Sequence, residues 1–259
     1  MIGVFDSGFG GLSVLDAIAR HLPHADLLYF ADTAHVPYGD KPEGFITGRV
    51  LAIGEHLARQ GCSPIVVACN TATTTAIKAL RNHLPGIPIV GVEPGVKPAA
   101  QTTRTKRIAV LATEATAKSK RLAQLIATHA AGVDVEVVPC PGWATHVETL
   151  RPFTGEFRAE VAKKISPLIA AGVDRIVLGC THYAFLAPII APIIAGHAEL
   201  VDVADAVARQ VLRLAGKAGG RARLQLQATA SPQRLQFALP MLGLTSLAER
   251  SVPPQQVSL

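Results

Sequence analysis

Two stretches of this chain, 111 residues apart from Cys69 to Cys180, are laid out alike, and a chain written twice on one plan has few ways to fold. Gly61 to Thr71 and Gly172 to His182 each place a glycine eight residues before a cysteine, with an apolar strand between them. Short polar residues follow each thiol, Asn70-Thr71 in the first copy and Thr181-His182 in the second. The match extends outward. Ile89 to Val92 stands as far beyond Cys69 as Leu200 to Val203 beyond Cys180. Ile2 to Phe5, ahead of Asp6-Ser7, pairs with Ile108 to Leu111, ahead of Ala112-Thr113, and Leu27 to Phe30 pairs with Val135 to Val138. Eight strands in two such sets, with helices between, predict an α/β fold of two pseudo-symmetric doubly wound parallel-sheet domains. Their strand ends would share one cleft holding the active site. The expected domains are 1-96 plus 206-259, carrying Cys69, and 97-205, carrying Cys180.

A thiol that closes a strand just before a helix can be poised as thiolate by the free amides and dipole of the helix N-terminus. A lone cysteine there reads as core packing, since free cysteine is among the most buried residue types. Two at equivalent places read as chemistry. Cys62 and Cys140 have no such counterparts and are assigned structural roles.

Along the chain, Asp6 to Ser13 (DSGFGGLS) is a tight turn. Ser13 stands where a dinucleotide fingerprint needs its third glycine, so the amides and Ser7 hydroxyl are suited to a carboxylate, or the glycines serve the turn alone. The loop Ala31 to Lys41 centres on Pro37, Tyr38 and Gly39. Helices are expected over Thr47 to Gln60, ended by Gly61, and over Thr73 to His83; the fourth strand is Ile87 to Val92. The second half opens with Arg107 to Thr116, which delivers Thr113 and Thr116. It continues through Val133 to Val138, Glu148 on a helical turn, and a helix Glu156 to Ala171 that Pro167 must kink or interrupt. A helix Val203 to Leu214, a strand Arg221 to Leu226 and a helix Pro232 to Leu242 precede a frayed end, Val252 to Leu259.

Hydrophobic residues at 49% and charged residues at 17% describe a globular core. The N-terminus has no signal-peptide pattern, so the even number of cysteines implies no disulfide framework and the expected location is cytoplasmic. The longest apolar stretch, Ala184 to Ala195, contains two prolines and falls short of the roughly 20 residues of a membrane span. A net charge of +6 bunches at Arg104, Lys106 and Arg107, at Lys118, Lys120 and Arg121, and from Arg209 to Arg223. With 5% aromatic residues and no zinc-finger or RNA-recognition spacing, these read as solvated faces rather than a nucleic-acid surface. The mild positive field favours an anionic small substrate. No metal site is expected for want of paired ligand spacing.

Equivalent thiols on opposite sides of one ligand suit proton transfer from one face of a carbon to the other, one as general base and the other as general acid. A hydrolase wants its nucleophile, base and oxyanion hole on one side.

ACNTAT (Ala68 to Thr73), LGCTHY (Leu178 to Tyr183), DSGFGG (Asp6 to Gly11) and VPYGDK (Val36 to Lys41) resemble the motifs of glutamate racemases, over about residues 1 to 240. The resemblance implies cofactor-independent interconversion of L- and D-glutamate for bacterial peptidoglycan, in a homodimer. It implies that Cys69 works on D-glutamate assisted by Asp6, and Cys180 on L-glutamate assisted by His182, with Glu148 a further acid beside the second thiol. Ser7, Pro37, Tyr38, Gly39, Asn70, Thr71, Thr113, Thr116 and Thr181 match substrate-binding positions. The chain departs from the usual family pattern at His35, Gly95, Leu122 and Ala184, none a proton-transfer group. Aspartate racemase shares the two-cysteine plan, a thiol hydrolase would need one cysteine, and a periplasmic-type binding protein would need neither.

Overall fold

The computed structural model describes residues 1–151, 153–216 and 219–259; Lys217, inside the last basic cluster, falls outside them. Two wholly parallel sheets form, and their order shows the duplication directly. The first comprises β1 (Ile2–Asp6), β2 (Leu27–Ala31), β3 (Ile65–Val67), β4 (Ile89–Gly91), β9 (Leu224–Ala228) and β10 (Gln255–Gln256), ordered β10-β9-β2-β1-β3-β4. The second comprises β5 (Arg107–Ala112), β6 (Asp134–Pro139), β7 (Arg175–Leu178) and β8 (Glu199–Val201), ordered β6-β5-β7-β8, the order of β2-β1-β3-β4 repeated. Register repeats as well. Phe5 pairs with Val67 and Leu111 with Leu178, each two residues before a cysteine.

The inner strands of both sheets are buried on two faces, which is why they read as continuous apolar runs. Ile2, Val4, Tyr29 and Val66 face one core of the first domain, and Phe5, Phe30, Ile65 and Val67 the other. Leu111 and Ile176 face one core of the second domain, and Val110 and Val177 the other. The helix before each cysteine strand stops in the same way. Gly61 (φ +76°) donates to Ala58 and Cys62 to Leu57; Gly172 (φ +84°) donates to Ile169 and Val173 to Leu168. This is the paired closure that a left-handed residue allows, and glycine adopts that conformation without strain.

Several expectations need correction. Among the described residues the sheets hold ten strands: the eight of the two repeats, the further strand expected near Arg221, which is β9, and β10, which was not expected. Val252 to Leu259 is not frayed: the Val252 amide donates to Leu224, Val257 to Ala228, and β10 lies along β9. The expected strand Arg221 to Leu226 begins at Leu224. The helix Asn70–His83 begins three residues early because the Cys69 sulfur caps it, accepting from the Ala72 amide at 3.5 Å. Pro167 does not interrupt its helix: Gly155–Ala170 runs through, since buried Val161, Ile165 and Leu168 hold one stripe to the core while Lys163, whose carbonyl loses its partner, is exposed. No helix among the described residues is long and apolar enough to cross a membrane.

Candidate active site

The carboxyl ends of the two sheets meet, and the four loops carrying the sequence motifs close on one cavity. Cys69 and Cys180 both line it, joined by Ser7, His182, the Pro37–Gly39 loop, Asn70, Thr71 and Thr113. Asp6, Glu148, Thr116 and Thr181 stand behind that wall, each hydrogen-bonded to one of the elements forming it. Among all these, nothing in the sequence singles out Ala144, which also lines the cavity, or the Phe9 amide.

Each thiol leads to a carboxylate through one intervening group. The Cys69 Sγ lies 3.9 Å from the Ser7 hydroxyl, and that hydroxyl lies 3.3 Å from Asp6 Oδ1. Asp6 therefore touches its thiol through Ser7. Its other oxygen accepts from Thr181 of the opposite domain at 3.0 Å. On the second side, Cys180 Sγ is 3.6 Å from His182 Nδ1, and His182 Nε2 is 2.6 Å from Glu148 Oε1. Glu148, alone in sequence, is 8% exposed and accepts the Phe9 amide at 2.5 Å. The repeat explains this division of labour. Asp6 aligns with Ala112, and His182 with Thr71, so each half carries a titratable group at a place where the other has none.

The electrostatics differ on the two sides. Burial would pull His182 down, but its hydrogen bonds to Cys180 and Glu148 prevail and hold its pKa well above the usual histidine range. With Nε2 thus protonated toward Glu148, the Gly10 amide 3.2 Å away is a close approach of two donors rather than a hydrogen bond. Burial pushes Cys69 well above the usual cysteine range, and Asp6 adds to the shift, while the Ala72 amide and Ser7 oppose it. Asp6 is itself raised by burial against the pull of His182. Burial thus favours the neutral thiol at Cys69, while hydrogen bonding favours the charged imidazolium beside Cys180. Of the structural pair, burial lifts Cys62 to about 11 and Cys140 to about 12; all four thiols are free.

The polar wall is partly committed. Thr71 Oγ1 lies 3.1 Å from Thr113 Oγ1, which lies 3.1 Å from Thr116 Oγ1, a hydroxyl cluster spanning the two domains. Asn70 Nδ2 donates to Val92, leaving one amide hydrogen free of that bond, and the Tyr38 hydroxyl donates to Asp32, so Tyr38 offers the cavity its ring and backbone. The cavity holds about 10 Å³ open to the centre of a water-sized sphere, room for roughly one water. A ligand larger than a water needs more room than this cavity gives. The path outward runs between Pro37–Asp40 and Cys140–Thr145, where a second small cavity shares Pro37, Gly39, Thr113 and Ala144. A larger apolar cavity of about 270 Å³ lies behind the Glu148 helix and contains neither thiol.

Gly8 and Gly10 matter for what they lack. A Cβ on Gly8 would collide with the Glu148 carboxylate, and one on Gly10 with the His182 ring and Thr181 hydroxyl. Gly10→Ala is therefore expected to displace His182 by about 1 Å and lower kcat/KM on the order of 10²-fold. Steady-state kinetics beside a thermal melt would show this; activity within about threefold of wild type would mean that His182 tolerates displacement.

A two-domain α/β protein of parallel sheets whose strand ends meet at one cleft, with a thiol from each domain, has the architecture of the amino-acid racemases. The family model described as Asp/Glu/Hydantoin racemase matches residues 4–211, and the chain belongs to that family. It is 45% identical to a glutamate racemase of Ectopseudomonas mendocina over 93% of this chain and 94% of that one. It is 43% identical to a glutamate racemase of Pseudomonas aeruginosa over 93% of each. Among solved structures, a glutamate racemase isoform of Bacillus anthracis superposes with a TM-score of 0.86 at 28% identity, covering 100% of this chain and 97% of that one.

Proposed function

We propose that this protein interconverts L- and D-glutamate without a cofactor, with Cys69 and Cys180 as the paired acid and base, and so supplies D-glutamate for peptidoglycan. The observation that carries the reading is the convergence of the two equivalent strand-end thiols on one cavity, each backed by its own carboxylate relay. L-glutamate loses its α-proton to Cys180, whose thiolate is held by the His182 imidazolium and Glu148, while Cys69 delivers a proton to the opposite face. In the reverse direction Cys69 is the base, and the Ser7–Asp6 relay accepts the proton load. The substrate's carboxylates and amino group meet Ser7, the Pro37-Tyr38-Gly39 backbone, Asn70 and the hydroxyls of Thr71 and Thr113, while Thr116 holds Thr113 and Thr181 holds Asp6 from behind. The names of relatives that are 43–45% identical support glutamate over aspartate.

The test is incubation with each enantiomer of glutamate and of aspartate, with no added cofactor, in heavy water. Only glutamate is expected to turn over. At early conversion the newly formed enantiomer should carry deuterium at Cα while remaining substrate stays protiated, because the delivering thiol has exchanged with solvent and the accepting one is on the other face. Faster aspartate turnover would reassign the substrate. Product that keeps protium would replace two bases with one that swings between faces.

A further inference from the structure

We propose that Arg234 is a positioning residue for the Cys180 side of the site, acting through Glu148 and His182; the inference rests on the two-thiol reading above. Arg234 belongs to the helix Gln233–Met241, in the segment that adds β9 and β10 to the first sheet, and it touches neither thiol. Its Nη2 donates at 2.7 Å to the backbone carbonyl of Glu148, and its guanidinium sits 5.4 Å from the centre of the Phe9 ring. The Phe9 amide is the group that donates to Glu148 Oε1. One side chain therefore grips both partners of the hydrogen bond that fixes the Glu148 carboxylate.

Glu148 needs such a grip. It is the last residue of the short helix Trp143–Glu148, where carbonyls have no intrahelical partner and a cation is favoured. Two residues later Leu150 takes a left-handed conformation (φ +54°), so no further helical turn continues past Glu148 to hold it. Without Arg234 the helix end is free to fray, the Phe9–Glu148 bond loosens, and His182 loses the acceptor that keeps it protonated. The Cys180 thiolate then loses its counterion. The other groups facing this thiol and its histidine are Asp6, Cys69, Cys140 and Tyr183, and none of them is a hydrogen-bond partner of Arg234 among the described residues.

The experiment measures the pH dependence of iodoacetamide alkylation at Cys69 and Cys180 separately, by peptide mass spectrometry, alongside kcat/KM. In Arg234→Gln the Cys180 midpoint should rise, the Cys69 midpoint should stay, and kcat/KM should fall about 10-fold, as for loss of one charge-assisted hydrogen bond. Arg234→Lys keeps the charge and a donor and should recover most of the loss. Phe9→Leu removes the ring beneath the guanidinium with no change of charge, and should move the Cys180 midpoint in the same direction. An unmoved Cys180 midpoint, even with a lowered melting temperature, or equal shifts at both thiols, would overturn the proposal. A wild-type protein that fails to racemise glutamate would remove the functional reading, while the alkylation midpoints would still decide whether Arg234 governs Cys180.

Discussion

Cys180→Ala should lower kcat/KM for glutamate racemisation by about 10²–10⁴-fold, the contribution of a positioned acid–base group, and by the same factor from either enantiomer. The equality is forced. Enantiomers have equal free energy in water, so the equilibrium constant is one, and the ratio of forward to reverse kcat/KM cannot leave one whichever thiol is removed. Cys69→Ala should behave alike, although the structure gives the two thiols different partners. That difference has room to show only in kcat and KM taken separately, which can shift unequally in the two directions while compensating. Cys62→Ala is the control, since Cys62 packs beneath Gly3 in the core and faces no part of the cavity. Circular dichroism would confirm that each variant is folded. A Cys180→Ala protein that racemises near the wild-type rate would remove Cys180 from the chemistry altogether.

Much of this was legible in the sequence because a duplication converts position into information. The glycine eight residues before each cysteine ends a helix in the same left-handed closure, and the strands that follow pair in the same register. Periodicity could not show which half would supply each acid or base, because that depends on contacts across the cleft: Thr181 reaching Asp6, and Glu148 reaching the Phe9 amide, 139 residues away in sequence. Local composition misled where tertiary packing prevailed. Pro167 sits on an exposed face of its helix, where the carbonyl it leaves without a partner is open to solvent, and the C-terminal residues, polar and proline-rich, are ordered by an edge strand that only the fold provides. Asp32 lay inside a loop read for its turn formers, and nothing nearby in sequence points to Arg49.

That pair carries the second large effect. Asp32 is fully buried and accepts four hydrogen bonds: Tyr38 Oη at 2.6 Å, Arg49 Nε and Nη2 at 2.9 Å each, and Thr229 Oγ1 at 2.9 Å. The donors come from the cavity loop, from the helix Glu43–Arg59 and from the residue after β9, and Arg49 also donates to the Leu259 carbonyl. One carboxylate thus ties the Tyr38 wall of the cavity to the C-terminal strands. Asp32→Ala leaves a guanidinium that is 12% exposed without its counterion, a loss of about 3–5 kcal/mol for breaking a buried pair on one side. For a chain of this size that corresponds to a Tm lower by roughly 6–20 °C. Removing both charges should cost less than the sum of the single changes, because no buried charge is then left alone, so a double-mutant cycle with Arg49→Ala should return a coupling of about 1–3 kcal/mol. Activity should fall in Asp32→Ala even below its melting transition, because the Tyr38 hydroxyl loses its acceptor and the Pro37–Gly39 loop its anchor. Calorimetry on the four proteins of the cycle measures all of this, and an Asp32→Ala variant within about 1 kcal/mol of wild type, or strictly additive single changes, would show that the Asp32–Arg49 pair holds neither the loop nor the C-terminal strands.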